Sequence, residues 1–341
     1  GAIVGFCIVL AYSFIGGFVA VVWSDFFQGL LMLLGLVALP VVAYLSYPGE
    51  SLLADLHAIK PTYTSWLGEG GWSVTNIASI VALVAIGLGF LGSPQVFVRF
   101  ISVKNEKEIN KGRWVAFGFT LLADIGAILI GMYARAMFDG TEIGLGKNAE
   151  DSLIVMVKEL MPAVLIGVYI AVVLSAIMST IDSLLVVASS AITRDFYQKI
   201  FRPEIKQEKL ANLSRWVTLI MALVGLAIAI IVALTNEDRT VFWFVIFGWT
   251  GIACTFCPVI VLALSWKRYN VSGAIASMIT GFSSVIFFKF VMSNPKYVSA
   301  NMATFFGSLE EMLPSFVLAL IVGIIATLLT SSKKNSIQTT T

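Results

Sequence analysis

The side chains best suited to chemistry lie in one long apolar segment, residues 162–193. Four small or hydroxyl-bearing residues are spaced there at i, i+3, i+4 and i+7, which places them on one face of a helix: Ala176, Ser179, Thr180 and Ser183. Asp182 adds a carboxylate beside them. Because hard cations prefer oxygen ligands, this face predicts a site for a small cation. The alternative is a helix–helix contact built from small polar residues.

Two other carboxylates interrupt apolar segments. A carboxylate at the centre of a membrane span costs about 2.5–3.5 kcal/mol on insertion scales, so such residues are rare and usually functional. Asp25 precedes Gln28 by three residues, a capping-box pattern that predicts the start of a helix and is compatible with ion binding. For Asp124, in the middle of another segment, we expect a buried carboxylate held by a neighbouring helix.

A break is predicted in the segment 73–101, at Gly92-Ser93-Pro94. Three glycines and a proline within eight residues weaken the helix there: Gly87, Gly89, Gly92 and Pro94. Transporters build substrate sites from such discontinuous helices, in which free backbone groups face the ligand. A plain proline kink with close-packed glycines is the alternative. Cys254 and Cys257 form a lone CxxC in a different apolar segment, and this position favours helix packing.

The composition indicates that these segments lie in a membrane. Of 341 residues, 58% are hydrophobic and 12% are charged, whereas soluble domains average about 25% charged residues. Continuous apolar runs long enough to cross a bilayer recur along the chain. They predict an all-α polytopic membrane protein and exclude a β-barrel. Residues 1–341 are interpreted as one transmembrane domain with about nine spans: 1–22, 25–46, 73–101, 114–137, 162–193, 214–235, 240–266, 271–293 and 310–330.

The distribution of lysine and arginine predicts the topology. If the spans alternate, fourteen basic residues fall on one side: Lys104, Lys107, Lys111, Arg113, Arg194, Lys199, Arg202, Lys206, Lys209, Arg215, Lys267, Arg268, Lys333 and Lys334. Only four fall on the other side: Lys60, Lys147, Arg239 and Lys296. The sequence therefore predicts a multi-pass protein of the cell membrane, with Gly1 outside and the carboxy terminus, Thr341, in the cytoplasm.

Other function classes find no support in the sequence. The net charge of +2 gives no reason to expect nucleic acid as a partner, and membrane lipid is the expected surrounding. The chain contains no HExxH motif and no GxxxxGK[ST] phosphate-binding loop. We therefore expect neither an intramembrane protease nor ATP hydrolysis, and we expect that the protein is not an enzyme.

Several stretches resemble the sodium:solute symporter family, and within it the sodium/proline symporter branch. The similarity is carried by separated motifs in the family's order: Tyr12–Ala20 with Trp23-Ser24-Asp25 and Gln28, Ala176–Thr180, Ser189–Thr193, and Arg268 followed by Gly273-Ala274 and Ser277–Gly281. The resemblance implies a partial inverted-repeat transporter core of five plus five helices. It also implies that missing amino-terminal helices of the same protein complete this core.

The resemblance further implies a set of ligands. The main sodium site would use the carbonyl of one residue and the hydroxyls of two others: Ala176, Ser179 and Thr180. A second Na⁺ would bind at Asp25, Asp182 and Ser183. The solute would lie beside four residues of the broken segment: Ile86, Phe90, Ser93 and Pro94. The first two of these stand where the proline branch has Trp and Tyr.

These expectations describe a sodium-coupled symporter that imports a small organic solute, proline or a related amino acid, by alternating access. Three alternatives stay open at this point. The first is sodium symport of another organic acid such as pantothenate. The second is proton coupling through Asp182 or Asp124, and the third is a membrane sensory module.

Overall fold

The computed structural model describes residues 2–141, 143–146, 149–235 and 241–338. Within those ranges the chain is helical and contains no β-strand, so the predicted all-α class is confirmed. The fold divides into two compact units, one of Gly1–Lys60 with Val103–Thr240 and one of Pro61–Ser102 with Val241–Thr341. Four residues used in the topology prediction lie outside the described residues: Gly1, Lys147, Arg239 and Thr341.

The helices are distributed over both units. The first unit contains α1 (Ala2–Ser46), α2 (Leu52–Ile59), α5 (Glu106–Phe138), α6 (Ser152–Leu160), α7 (Ala163–Ser190) and α8 (Gln207–Thr235). The second unit contains α3 (Val74–Ala85), α4 (Pro94–Ile101), α9 (Val241–Ser265), α10 (Val271–Phe287), α11 (Ala300–Leu309) and α12 (Met312–Gln338). A 3₁₀ helix and two π-helices extend them: Ile86–Leu91, Ala191–Phe201 and Phe288–Met292.

Eight helical segments of the described chain are long and apolar enough to cross a membrane. The residues of the predicted spans 1–22 and 25–46 belong to one continuous helix, α1, which begins at Ala2 and ends at Ser46. Ser24 lies within this helix, and its hydroxyl donates to the carbonyl of Val21 at 2.9 Å. Asp25 therefore lies inside a helix and does not cap the start of one. The capping-box interpretation of Asp25 and Gln28 is wrong.

The first unit packs α1 against α5 and α7. Leu39 of α1 and Ala134 of α5 are fully buried in its apolar core. A Cβ on Gly126 would overlap the backbone of α1, so glycine allows α5 to approach closely. On the other side, the phenol of Tyr169 donates to the carbonyl of Gly35 at 2.9 Å. These contacts fix α7, and with it the hydroxyl-bearing face predicted from the sequence, against α1.

The second unit is built around α9, α10 and α12. A Cβ on Gly281 of α10 would overlap the carbonyl of Cys254 of α9, so glycine is required for this approach. The hydroxyl of Ser277 donates to the carbonyl of Ala319 at 2.8 Å and joins α10 to α12. Close packing of these three helices gives the broken segment between α3 and α4 a rigid support on α9.

Two polar contacts stabilise helix ends. The phenol of Tyr47 donates to Oδ2 of Asp55 at 2.5 Å and joins the end of α1 to α2; burial, followed by this hydrogen bond, raises the pKa of Tyr47 to about 12. The ammonium of Lys289 contacts Glu310 at 3.3 Å and Glu311 at 3.1 Å. The Glu311 side chain is 3% exposed and that of Glu310 is 29% exposed, so the two ion pairs lie in different environments.

Candidate cation and substrate sites

Asp25 of α1 lies against the hydroxyl-bearing face of α7. Ser179 donates to its Oδ1 at 2.6 Å, and Ser183 donates to its Oδ2 at 3.2 Å. Both oxygens of one carboxylate therefore accept hydrogen bonds from neighbouring turns of the same helix. The structure thus brings together residues that the sequence analysis placed in two separate sodium sites.

This cluster of three side chains has the chemistry of a cation ligand set. A hydroxyl that donates its proton to a carboxylate still carries oxygen lone pairs that can coordinate an ion. The carboxylate of Asp25 supplies a negative charge inside a membrane span, where charge is costly and usually functional. Oxygen donors that combine neutral hydroxyls with one carboxylate match the preference of a hard cation.

Ala176 and Thr180 lie next to this cluster on α7. The hydroxyl of Thr180 donates to the carbonyl of Ala176 at 3.2 Å. Both oxygens keep lone pairs, so both can still act as ligands. Thr180 is exposed in this chain, whereas Ser179 is half-buried. The three residues predicted for the main sodium site are therefore adjacent, and their role as sodium ligands stays a prediction.

The other carboxylates differ in burial. Asp182 is fully buried on α7, and a carboxylate buried inside a membrane span is rare and usually functional. Asp124 is exposed on α5, so the expectation of a buried carboxylate held by a neighbouring helix is wrong. Helix geometry explains the difference: Ala123 and Gly126 occupy the buried face of α5, and the residue next to Ala123 is turned by about 100° away from it.

The predicted break near Gly92 is confirmed. The α-helical part of this segment ends at Ala85, a 3₁₀ helix follows, and α4 begins with Pro94 in its first turn. Ser93 is fully buried, and its Oγ has no hydrogen-bond partner among the described residues. Oε1 of Gln95 is likewise buried without such a partner in the described chain. Because buried polar atoms normally find partners, these two are candidates to bind a polar ligand.

The thiol of Cys257 connects both ends of the broken segment. It donates to the carbonyl of Gly89 at 3.1 Å and accepts from the N–H of Gly92 at 3.2 Å. Interrupting a helix leaves backbone groups without intrahelical partners, and this one side chain satisfies a carbonyl and an N–H. Cys257 and Cys254 are both fully buried, which confirms the predicted packing role. The additional hydrogen bonds had no signal in the sequence.

Trp249 of α9 covers the same segment. Its indole N–H donates to the carbonyl of Ile86 at 3.2 Å, and the centre of its ring lies 4.8 Å from that of Phe90. A Cβ at Gly89 would overlap the indole, so glycine is required there. Ile86 and Phe90, both predicted to contact solute, thus border an aromatic surface to which Trp249 contributes. No feature of the sequence had pointed to Trp249.

Comparison of the sequence with known protein families identifies the family of this chain. The profile of the sodium:solute symporter family matches residues 1–281. The chain belongs to the sodium:solute symporter family. The resemblance inferred from the separated motifs is therefore confirmed, and the oxygen cluster and the broken helix described above are features of a family member.

Two curated relatives extend the match over almost the whole chain. The high-affinity proline transporter PutP of Bacillus subtilis is 31% identical over 331 residues, which cover 97% of this chain and 65% of the relative. A sodium/proline symporter of Staphylococcus aureus is 34% identical over 336 residues, which cover 97% of this chain and 62% of the relative. The chain thus spans slightly less than two thirds of their length. Both relatives are named as transporters, which agrees with the expectation that the protein is not an enzyme.

A solved structure shares the fold. It is a Na⁺-coupled sialic acid symporter in a substrate-bound, outward-open state, with a TM-score of 0.70 and 20% sequence identity. The match covers 95% of this chain and 65% of that protein. Together with the eight membrane-spanning candidates, this likeness identifies the chain as part of a multi-pass helical transporter fold.

Proposed function

We propose that the complete protein is a sodium-coupled symporter that imports a small organic solute by alternating access, and that the solute is proline or a related amino acid. Membership of the family supports sodium-coupled symport. The names of both relatives support proline or a similar solute. The single observation that carries the proposal is the contact of Asp25 with Ser179 and Ser183, because it gathers oxygen donors and one negative charge inside a membrane-spanning unit.

The cation would be held by the face of α7. The main sodium ion would bind the Ala176 carbonyl and the hydroxyls of Ser179 and Thr180, with its remaining ligands supplied by segments of the complete transporter that this chain does not span. A second ion would bind beside Asp25, with Asp182 and Ser183 as further ligands. The first ion would fix α7 against those segments. Each sodium charge that crosses a potential of 100 mV contributes about 2.3 kcal/mol to solute uptake.

The solute would bind along the broken segment. Ile86 and Phe90 border the aromatic surface, and Pro94 begins the helix after the break. The buried hydroxyl of Ser93 supplies a polar group without a partner in the described chain. An amino acid needs this combination, since its carboxylate and amino group require hydrogen bonds and its side chain requires an apolar surface.

Proton coupling is the second candidate, and the full burial of Asp182 favours it. Carboxylates inside membrane spans mark ion pathways and proton relays, so this residue is the candidate to carry a proton in place of a metal ion. Exposed Asp124 has no such environment in this chain. Uptake that continues without sodium and is lost in Asp182→Asn would establish proton coupling.

The proposal is tested by transport in proteoliposomes that contain the full-length protein. Labelled proline is supplied with an inward sodium gradient, with an equal potassium gradient, and with a proton gradient alone. We expect accumulation only with sodium, and competition by unlabelled proline analogues but not by pantothenate. Absence of proline accumulation, with sodium-driven accumulation of labelled pantothenate instead, would contradict the assignment of the solute, and sodium-independent accumulation would contradict the coupling.

We also propose an orientation in the cell membrane. Residues 102–113 and 194–213, which include helix ends and the connections beside them, carry most of the basic residues that fall on one side of the spans. By the positive-inside rule these two segments and the carboxy terminus face the cytoplasm. Labelling of a single cysteine introduced at Lys107 from inside, and not from outside, is the expected result.

A further inference from the structure

A groove of about 680 Å³ lies where the π-helical extension of α7 meets the start of α8. The connection is short, because the π-helix ends at Phe201 and α8 begins at Gln207. The side chains that matter for a ligand come from both flanks of this turn: Tyr197, Phe201, Arg202, Glu204, Lys206 and Lys209. None of these residues belongs to the cation or solute sites described above.

The charge of this groove is positive. Three of its lining residues are basic and one is acidic: Arg202, Lys206, Lys209 and Glu204. Among the residues that the structure describes, the three basic side chains make no ion pair. The neighbouring Lys199 differs, because it is paired with Asp195 at 2.6 Å. The groove therefore carries a net positive charge, with three basic side chains against one acidic side chain.

An apolar surface adjoins the positive charge. Phe196 and Phe201 are 56% and 60% exposed, and their ring centres lie 5.4 Å apart. Ile192 and Ile200 on the same helical extension are also exposed. Aromatic and aliphatic side chains next to basic residues are typical of the membrane–water interface, where the apolar part contacts acyl chains and the charges meet headgroups.

The local backbone widens the helix at this point. The N–H of Arg202 donates to the carbonyl of Tyr197, five residues earlier, at 3.1 Å. This i to i−5 pattern is the hydrogen bonding of a π-helix, a rare form that is frequent at functional sites. It places the ring of Tyr197 and the guanidinium of Arg202 on the border of one groove, instead of distributing them around a regular α-helix.

We propose that this groove binds the phosphate headgroup of an anionic phospholipid from the adjoining leaflet. Arginine and lysine hydrogen-bond phosphate oxygens, the exposed phenylalanines contact the acyl chains, and basic pockets at the ends of membrane helices are suited to anionic lipids. The inference depends on the membrane location of α7 and α8 and not on sodium coupling. Failure of the transport proposal would therefore leave the lipid-binding proposal unaffected, and the reverse also holds.

The test compares two triple variants of the full-length protein with equal loss of charge. In the groove variant, Arg202→Gln, Lys206→Gln and Lys209→Gln are combined. The control variant combines Lys104→Gln, Lys107→Gln and Lys111→Gln, which are exposed residues before and at the start of α5, on the same predicted side. Binding of phosphatidylglycerol, phosphatidylcholine and inorganic phosphate to purified, delipidated protein is measured by thermal shift and by native mass spectrometry.

We expect the wild type to bind phosphatidylglycerol at least tenfold more tightly than phosphatidylcholine. The groove variant should lose at least tenfold in phosphatidylglycerol affinity, and the control variant less than twofold. Equal losses in both variants would show a nonspecific charge effect and overturn the proposal. So would inorganic phosphate binding as tightly as phosphatidylglycerol. If the groove variant does not fold, Lys206→Gln alone should weaken phosphatidylglycerol binding at least threefold, and an unchanged affinity would refute the site.

Discussion

Replacement of Cys257 by alanine should weaken solute binding, because this thiol holds the broken segment between α3 and α4. The substitution removes the hydrogen bond to the Gly89 carbonyl at 3.1 Å and the one from the Gly92 N–H at 3.2 Å. Both backbone groups then lose their partner beside a fully buried position. The expected consequence is that the segment leaves the conformation in which Ile86, Phe90 and Ser93 can contact a solute.

The magnitude follows from the two backbone groups. Each buried group left without a partner costs about 1–3 kcal/mol, and sulfur forms only weak hydrogen bonds, so the lower end applies. Two groups at about 1 kcal/mol each destabilise the binding-competent conformation by about 2 kcal/mol. When the binding-competent conformation is less populated, the apparent affinity for the solute falls in the same proportion. The half-saturating solute concentration should therefore rise by up to about 30-fold.

The assay is solute uptake by the full-length protein at saturating sodium, together with thermal stability of the purified protein. Cys254→Ala is the matched control, because this residue is one turn earlier on α9, equally buried, and donates to the Met312 carbonyl instead. It should lower thermal stability through the same loss of a sulfur atom without raising the half-saturating solute concentration. Cys257→Ser retains a donor and an acceptor and should restore most of the affinity.

An equal rise in the half-saturating solute concentration of both alanine variants would contradict this role of the Cys257 thiol. So would a Cys257→Ala variant with lower thermal stability and unchanged solute affinity. In either case the thiol would serve packing and would not position the broken segment.

Three further predictions concern the same structure. Gly89→Ala should reduce solute uptake at least tenfold, because the added methyl group would overlap the indole of Trp249. Gly87→Ala is the control: a Cβ there meets open space, so uptake should stay within twofold of the wild type. Lys289→Gln should lower the free energy of unfolding by about 1–3 kcal/mol, because it removes the partner of the buried Glu311 carboxylate while the ammonium itself is only half-buried. Glu310→Gln should cost about 1 kcal/mol or less, since this carboxylate is partly exposed; thermal denaturation distinguishes the two variants. The pKa of Tyr47 is about 12 in the folded protein, above its ordinary value of about 10. Its neutral phenol therefore stabilises the fold fully below pH 10, and this contribution is lost as the pH rises through 12. In Tyr47→Phe, the free energy of unfolding should fall less steeply between pH 10 and pH 12.

The membrane helices and the break could be predicted from the sequence because both depend on local composition. Long apolar runs must form helices in a bilayer, where backbone groups have no water to bind. Pro94 removes a backbone donor and cannot continue the preceding helix, and the glycines before it lower helix propensity. The break consequently falls where the sequence predicted it, with Pro94 in the first turn of α4.

The course of α1 could not be predicted in the same way. The polar pair Ser24-Asp25 resembles a helix boundary, but both residues lie inside α1 and their side chains find partners there or on α7. Ser24 bonds within its own turn, to the carbonyl of Val21, and Asp25 bonds to Ser179 of a distant helix. A carboxylate whose partners lie more than 150 residues away cannot be distinguished from a cap by local spacing.

The candidate sites were predicted in part. The shared face of Ser179 and Ser183 follows from helix periodicity alone, and the structure places both on the same carboxylate. The roles of Cys257 and Trp249 depend on the register of α9 against the broken segment. Periodicity within one helix carries no information on that register, and a lone CxxC or a single Trp in an apolar span has no distinguishing local pattern.

The sodium dependence of solute uptake by full-length Ser179→Ala and Thr180→Ala variants tests the central claim most directly. Thr218→Ala serves as the control, because its hydroxyl lies on α8 and donates within its own helix. Loss of one oxygen ligand should raise the half-saturating sodium concentration at least about tenfold, which corresponds to roughly 1.4 kcal/mol, in both α7 variants and not in the control. A half-saturating sodium concentration that stays at the wild-type value in both α7 variants would contradict the assignment of this helix face to sodium.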